Sequence, residues 1–199
     1  MVEPAAARER ILDAAIEAAS IHGVSRMSVS DVAKRAGLSR PTLYKHFPSK
    51  ESLVAAATLR EAVRLIDGVV MAADAHDDPR AALEAGVLTA LHLTRAHPLL
   101  DRVVRTEPES LVPFLVSDGG PVMSAGRGAV EGLIHRKMTG LDDVAVRRVA
   151  DTLMRLLVSY ALSAPDDPPE VVAASIAQFI TTGVLVSHSP YTPEPMEAR

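Results

Sequence analysis

The chain has 199 residues, no cysteine, no tryptophan, aromatics at only 3 % and a formal net charge of −4. Disulfides, thiolate nucleophiles and cysteine-ligated zinc or iron–sulfur centres are thereby excluded, and a composition led by alanine, valine and leucine favours helix over sheet. The charge is divided: residues 1–60 carry nine bases against six acids and residues 61–199 carry twelve against nineteen, which predicts a basic head on an acidic body. The first residues mix acid and base before any apolar run, so they do not read as a secretory signal.

Residues 5–22 read as a first helix, with Ile11, Leu12, Ala15, Ile16 and Ala19 recurring at helical spacing and Gly23 ending it. The stretch Ser28–Lys50 then reads as two short helices at a sharp angle. Ser30 is expected to cap the first. Gly37 takes the left-handed backbone at its end. Ser39 caps the second, with Pro41 in its first turn. Leu43 and Phe47, four apart, share a buried face, which leaves Arg40, Thr42, Tyr44, Lys45 and His46 largely outward. Pro48 stops this helix and Ser49 caps the next. A helix, a glycine turn and a second helix of this kind describe a helix-turn-helix over 28–47, sized for a DNA major groove. From Arg26 to Lys50 there are six bases and one acid, the footprint expected of a DNA-contacting face. Arg40 and Lys45 reach toward base edges. Thr42, Tyr44, His46 and Lys50 read as phosphate contacts, which set register rather than sequence preference. Ser28 and Ser30 offer hydroxyls and free amides to a phosphate.

At these residues the chain resembles the TetR/AcrR family of bacterial one-component repressors. The matching pattern is His22-Gly23-Val24, Met27-Ser28-Val29, Val32-Ala33, Ala36-Gly37-Leu38-Ser39, Thr42-Leu43-Tyr44, His46-Phe47 and Lys50-Glu51-Ser52-Leu53. The resemblance implies an all-α protein of about nine to ten helices. A three-helix helix-turn-helix domain over 5–52 would precede an effector-binding and dimerisation domain over 53–188 and a loose tail over 189–199. It implies a cytoplasmic homodimer on double-stranded operator DNA, with Ser30, Arg40 and Pro41 as base readers and Ser28, Thr42, Tyr44, His46 and Lys50 on the backbone. It also implies that the last two helices pair across a two-fold axis as a four-helix bundle.

Residues 49–74 read as one long helix with a stripe of Leu53, Ala56, Leu59, Val63, Ile66 and Val70, crossing from head to body as a lever. Asp78 caps a helix over 79–97 with Pro79 at its first position; the acids and His76 beside it could hold a cation, but such loop acids also serve as plain caps. Pro98 breaks that helix, and Leu99–Arg105 forms a short one. Thr106 and Glu109 spell a capping box for a further short helix over 111–116. A loop at 118–121 leads to a helix over 121–138 interrupted by Gly126, Gly128 and Gly132, which fits either a cavity wall or close packing. Residues 142–163 and 168–187 read as two helices apolar on more faces than one small body covers, which points to self-association through Val149, Leu153, Leu156, Ile176, Phe179, Ile180 and Gly183. The run without acid or base after Glu170 is broken by Ser175, Gln178, Thr181 and Thr182 and is short for a membrane span; no membrane is expected.

The body is expected to hold a mostly apolar cavity for a small apolar or amphipathic effector. His92, His97, Arg95, Ser124, Arg127, His135, Ser159 and Tyr160 are the polar candidates, and His92, Arg95, Ser124, Arg127, His135 and Tyr160 are assigned to the pocket. A lone histidine on an apolar face is also commonly just a hydrogen-bonded core residue. No nucleophile elbow, phosphate-binding loop or paired Glu-x-x-His motif occurs, so no enzyme, metal or cofactor is expected. The alternatives are an activator or ligand-independent regulator of the same fold, and a helical-bundle enzyme or carrier with an incidental basic head.

Overall fold

A computed structural model of the chain describes residues 4–111, 120–163 and 166–187, and these form nine α-helices: α1 Pro4–His22, α2 Val29–Arg35, α3 Arg40–His46, α4 Lys50–Asp74, α5 Pro79–Ala96, α6 Pro98–Thr106, α7 Pro121–Lys137, α8 Asp143–Leu162 and α9 Pro169–Ser187. A 3₁₀ turn at Pro108–Leu111 follows α6, and no strand occurs among the described residues. The helix expected over 111–116, the loop at 118–121, the turn at 164–168 and the tail over 189–199 lie wholly or partly outside them.

Local chemistry fixes most helix ends. The side chains of Ser39, Ser49, Asp78 and Asp142 each accept a hydrogen bond from an amide of the following first turn, meeting a donor that the helix leaves orphaned. Two expected caps are corrected. The α2 cap is Ser28, whose Oγ accepts from Asp31 N at 3.0 Å, and Ser30 lies inside the helix because Val29 already has helical geometry. Thr106 ends α6 rather than starting a helix; its hydroxyl donates back to Arg102 O at 2.9 Å.

The head is built on α1. Ile11, Leu12, Ala15, Ala18 and Ala19 pack on Met27, Val32 and Ala33 of the α2 region, Leu43 and Phe47 of the α3 region, and Leu53 and Ala57 of α4. The body has a separate core, in which Leu83, Val87 and Leu91 of α5 meet Leu153 of α8 and Val172, Ala173, Ile176, Ala177 and Ile180 of α9. Helix α4 serves both. Its buried face follows the expected stripe only in part: Leu53 is buried as expected, but Ala57 and Ala62 point inward in place of Leu59 and Val63, which are 37 % and 41 % exposed.

The body core also corrects the expected dimer face. Leu153, Ile176 and Ile180 are buried within one subunit, so they are not free to meet a second copy. Val149 is part-buried against the same core. Phe179, at 72 % exposure, and Gly183 face out, with Leu156 half-buried. A helix apolar nearly all round does not reveal in sequence which side its own subunit claims.

Candidate nucleic-acid interface and effector cavity

The recognition corner is held by backbone bonds at Gly37. Leu38 N donates to Ala33 O and Gly37 N to Lys34 O, at 2.9 and 3.1 Å, with Gly37 at φ +66°. This paired arrangement closes α2 and aims α3 away from it. Leu43 and Phe47 anchor α3 from beneath, and the Arg8 guanidinium sits 5.2 Å above the Phe47 ring.

Arg40, Pro41, Tyr44 and Lys45 of α3 are exposed on one outward surface, with Ser28 and Ser30 exposed at the start of α2. Thr42 is half-buried, its Oγ1 2.8 Å from Ser39 Oγ, and His46 is half-buried at the end of α3. Lys50 Nζ donates to Ser25 O at 2.8 Å, so it braces the loop before α2 and keeps further N–H donors. Not every base counted from the sequence belongs to this field. Arg35 is paired with Asp31 and Glu17, and the Asp31 hydrogen bond, outweighing partial burial, raises its pKa. Arg26, Lys34, Arg40 and Lys45 are exposed and carry no ion pair among the described residues.

The chain matches the family model for bacterial regulatory proteins of the tetR family over residues 11–57, and a tetracyclin repressor C-terminal domain model over residues 78–182. It belongs to the TetR family. It is 27 % identical over 176 residues to the HTH-type transcriptional regulator AlkX of Mycobacterium tuberculosis, covering 87 % of this chain and 83 % of that one. It is 30 % identical over 195 residues to the HTH-type transcriptional activator FasR of Mycolicibacterium smegmatis, covering 93 % and 85 %. The fold is similar to the crystal structure of a TetR family repressor AlkX from Dietzia, with a TM-score of 0.74 at 23 % identity over 92 % of this chain and 96 % of that one. The TetR-family chain is therefore a DNA-binding transcriptional regulator, and its relatives are regulators rather than enzymes. No helix among the described residues is long and apolar enough to cross a membrane.

The body of this TetR-family protein contains a cavity of about 220 Å³ walled by α4, α5, α6, α7 and α8, with Val24 at its head-side end. None of the six side chains assigned to the pocket from sequence lines it. His92 is exposed and 3.6 Å from Glu170, joining α5 to α9. His135 lies 3.9 Å from Asp143 and Arg127 lies 3.6 Å from Asp151. Arg95 and Ser124 are exposed, as is Ser159, and Tyr160 packs on the body core. Polarity misled the assignment: apart from Tyr160 these groups sit where water or a counter-charge reaches them, and the cavity takes the aliphatic sides of the same helices.

Of the eight candidates His97 alone is a wall residue, together with Thr58, Glu61, Thr94 and Ser110. His97 Nδ1 accepts from Leu100 N at 3.4 Å, capping α6, which leaves Nε2 to donate to Glu61 Oε2 at 3.4 Å. Glu61 Oε1 accepts from Arg60 and Arg64. Arg60 continues to Glu9 and Asp13 of α1, at 3.0 and 2.8 Å. Burial opposes the Arg60 charge, yet the Glu9 hydrogen bond and the Asp13 and Glu61 charges outweigh it and raise its pKa. A continuous polar chain thus runs from the cavity wall to the head.

Proposed function

We propose that this protein is a homodimeric repressor released from a pseudo-palindromic operator by a small apolar or amphipathic effector. The observation that carries the reading is an apolar cavity whose wall helices α4 and α6 also touch the head. The head comprises residues 5–52 and the body residues 53–188. Two heads enter successive major grooves. Arg40, Pro41, Lys45 and Ser30 face the bases; Ser28, Thr42, Tyr44, His46 and Lys50 grip phosphates. The exposed stripe of α9 at Val171, Phe179 and Gly183, with Leu156 of α8, pairs two subunits.

The effector acts by binding more tightly to the conformation in which α4 and α6 have moved and the heads no longer match the half-sites. Operator DNA then weakens effector binding by the same factor. Selection of bound sequences from random duplex DNA, repeated with candidate effectors, tests this. A palindromic consensus, binding lost steeply with salt and release by an apolar compound are expected; recovery of no consensus at low salt rejects it. Activation is the second reading, because the 30 % identical relative FasR is named an activator. A promoter–reporter assay with and without the gene separates the two by sign.

A further inference from the structure

The charge inventory of the cavity narrows the effector. Among the described residues no lysine or arginine lines it, and Glu61 is the one carboxylate on its wall. The Arg60 and Arg64 guanidiniums lie outside the lining and both bond Glu61 Oε1 at 3.0 Å, Arg60 continuing to Glu9 and Asp13. Arg102 also lies outside the lining, with its charge acting on Glu107. Thr94 Oγ1 is spent on its own helix, donating to Ala90 O at 2.8 Å, and Ser110 is engaged with Glu107. Thr58, His97 and Glu61 therefore form the polar end.

The cavity is also long and graded. On α4 its lining runs from Val54 to Val70, roughly 24 Å of axis at about 1.5 Å per residue. The polar groups lie toward the head. Beyond Glu61 the α4 lining is Ala62, Leu65, Ile66, Val69 and Val70, faced by Gly126 and Met154. At Gly126 an added Cβ would stand 2.3 Å from Met154 Cε, so the missing side chain is what admits Met154 to the wall.

We infer that the effector is a long, uncharged alkyl chain ending in a hydrogen-bonding group of the primary-alcohol class, and that its carboxylate counterpart is rejected. The hydroxyl meets Thr58, His97 and Glu61, and the tail extends toward α7 and α8. A fatty carboxylate placed there loses its water and finds no lysine or arginine among the described lining residues, while the guanidiniums of Arg60 and Arg64 are already taken by Glu61. A buried carboxylate without a cation of its own is strongly penalised. The inference rests on the cavity being the effector site.

The test uses the full-length protein and the neutral fluorophore N-phenyl-1-naphthylamine, displaced by hexadecanol, hexadecane or palmitate. Hexadecanol should displace it best, with palmitate on the order of 100-fold weaker. Thr58→Lys should reverse that preference and Glu61→Gln should narrow it; circular dichroism checks each fold, and either variant suffices if the other does not fold. Palmitate binding within about tenfold of hexadecanol in the natural protein, about 1.4 kcal/mol, overturns the inference, as does a Glu61→Gln ratio that does not move. Binding of hexadecanol over palmitate without release of operator DNA upholds the selectivity and rejects the effector reading. Failure of both fluorophore and alcohol to bind rejects both.

Discussion

The Glu107 carboxylate accepts two hydrogen bonds from Ser25, from the backbone N at 2.9 Å and from Oγ at 2.7 Å, across 82 residues of chain. Ser25 O in turn accepts from Lys50 Nζ. One short loop of the head is thus clamped between the start of α4 and the end of α6, the two elements that also wall the cavity. A shift of α6 would reach the DNA-binding head through this contact.

Glu107→Ala should leave the fold intact and loosen this seam. The contact is open to solvent, so the loss in global stability is at most about 1 kcal/mol. Hydrogen exchange over residues 23–27 should speed up, and operator release should need more effector. Burial favours the neutral form of Glu107, but the Ser25 hydrogen bonds, the Arg102 charge and Ser110 outweigh it and lower its pKa from the ordinary 4.5. The contribution is therefore complete above that ordinary value and is lost as pH falls through the lowered one. Exchange rates should be unchanged by the mutation in strong acid and differ at neutral pH.

Gly23→Ala should be worse than Glu107→Ala. Gly23 has φ +85°, where an L side chain costs roughly 1–2 kcal/mol. Its added Cβ would also stand 1.9 Å from Glu107 Oε1, expelling the carboxylate. Urea denaturation should show the backbone cost, and the Glu107→Ala/Gly23→Ala double variant should recover only the part due to the clash.

Tyr44→Ala should weaken binding to every operator variant equally, with the melting temperature preserved, since Tyr44 is 40 % exposed. Arg40→Ala should cost about 1–3 kcal/mol and relax preference at one operator position. Gel-shift titrations across a set of single-base variants read both, and an unaltered preference for Arg40→Ala removes it from the base readers. Lys50→Ala should reduce the salt slope by about one ion and also free the Ser25 loop, because its ammonium holds Ser25 O.

Leu153→Asp and Phe179→Asp should part company. Leu153 is 3 % exposed inside the subunit core, so an unpaired buried carboxylate there should cost more than about 3 kcal/mol and unfold the body. Phe179 is 72 % exposed, so its replacement should give a folded monomer by sedimentation. A folded monomer from Leu153→Asp, or a dimer from Phe179→Asp, moves the interface elsewhere.

By itself the sequence determined what depends on neighbours a few residues away. Ser39, Ser49 and Asp78 cap the helices that follow them because a cap needs only an amide two or three positions on, and Gly37 turns the recognition corner because its backbone alone must be left-handed. The helix-turn-helix was legible for the same reason. Tertiary structure decided what depends on distant partners: that Leu153, Ile176 and Ile180 face inward while Phe179 faces out, that the polar end of the cavity is Glu61 with His97 rather than His92 or His135, and that Glu107 holds Ser25. Helical periodicity states that a side is apolar, but which neighbour covers it, and which polar groups meet across 36 or 82 residues, follows only when the helices pack.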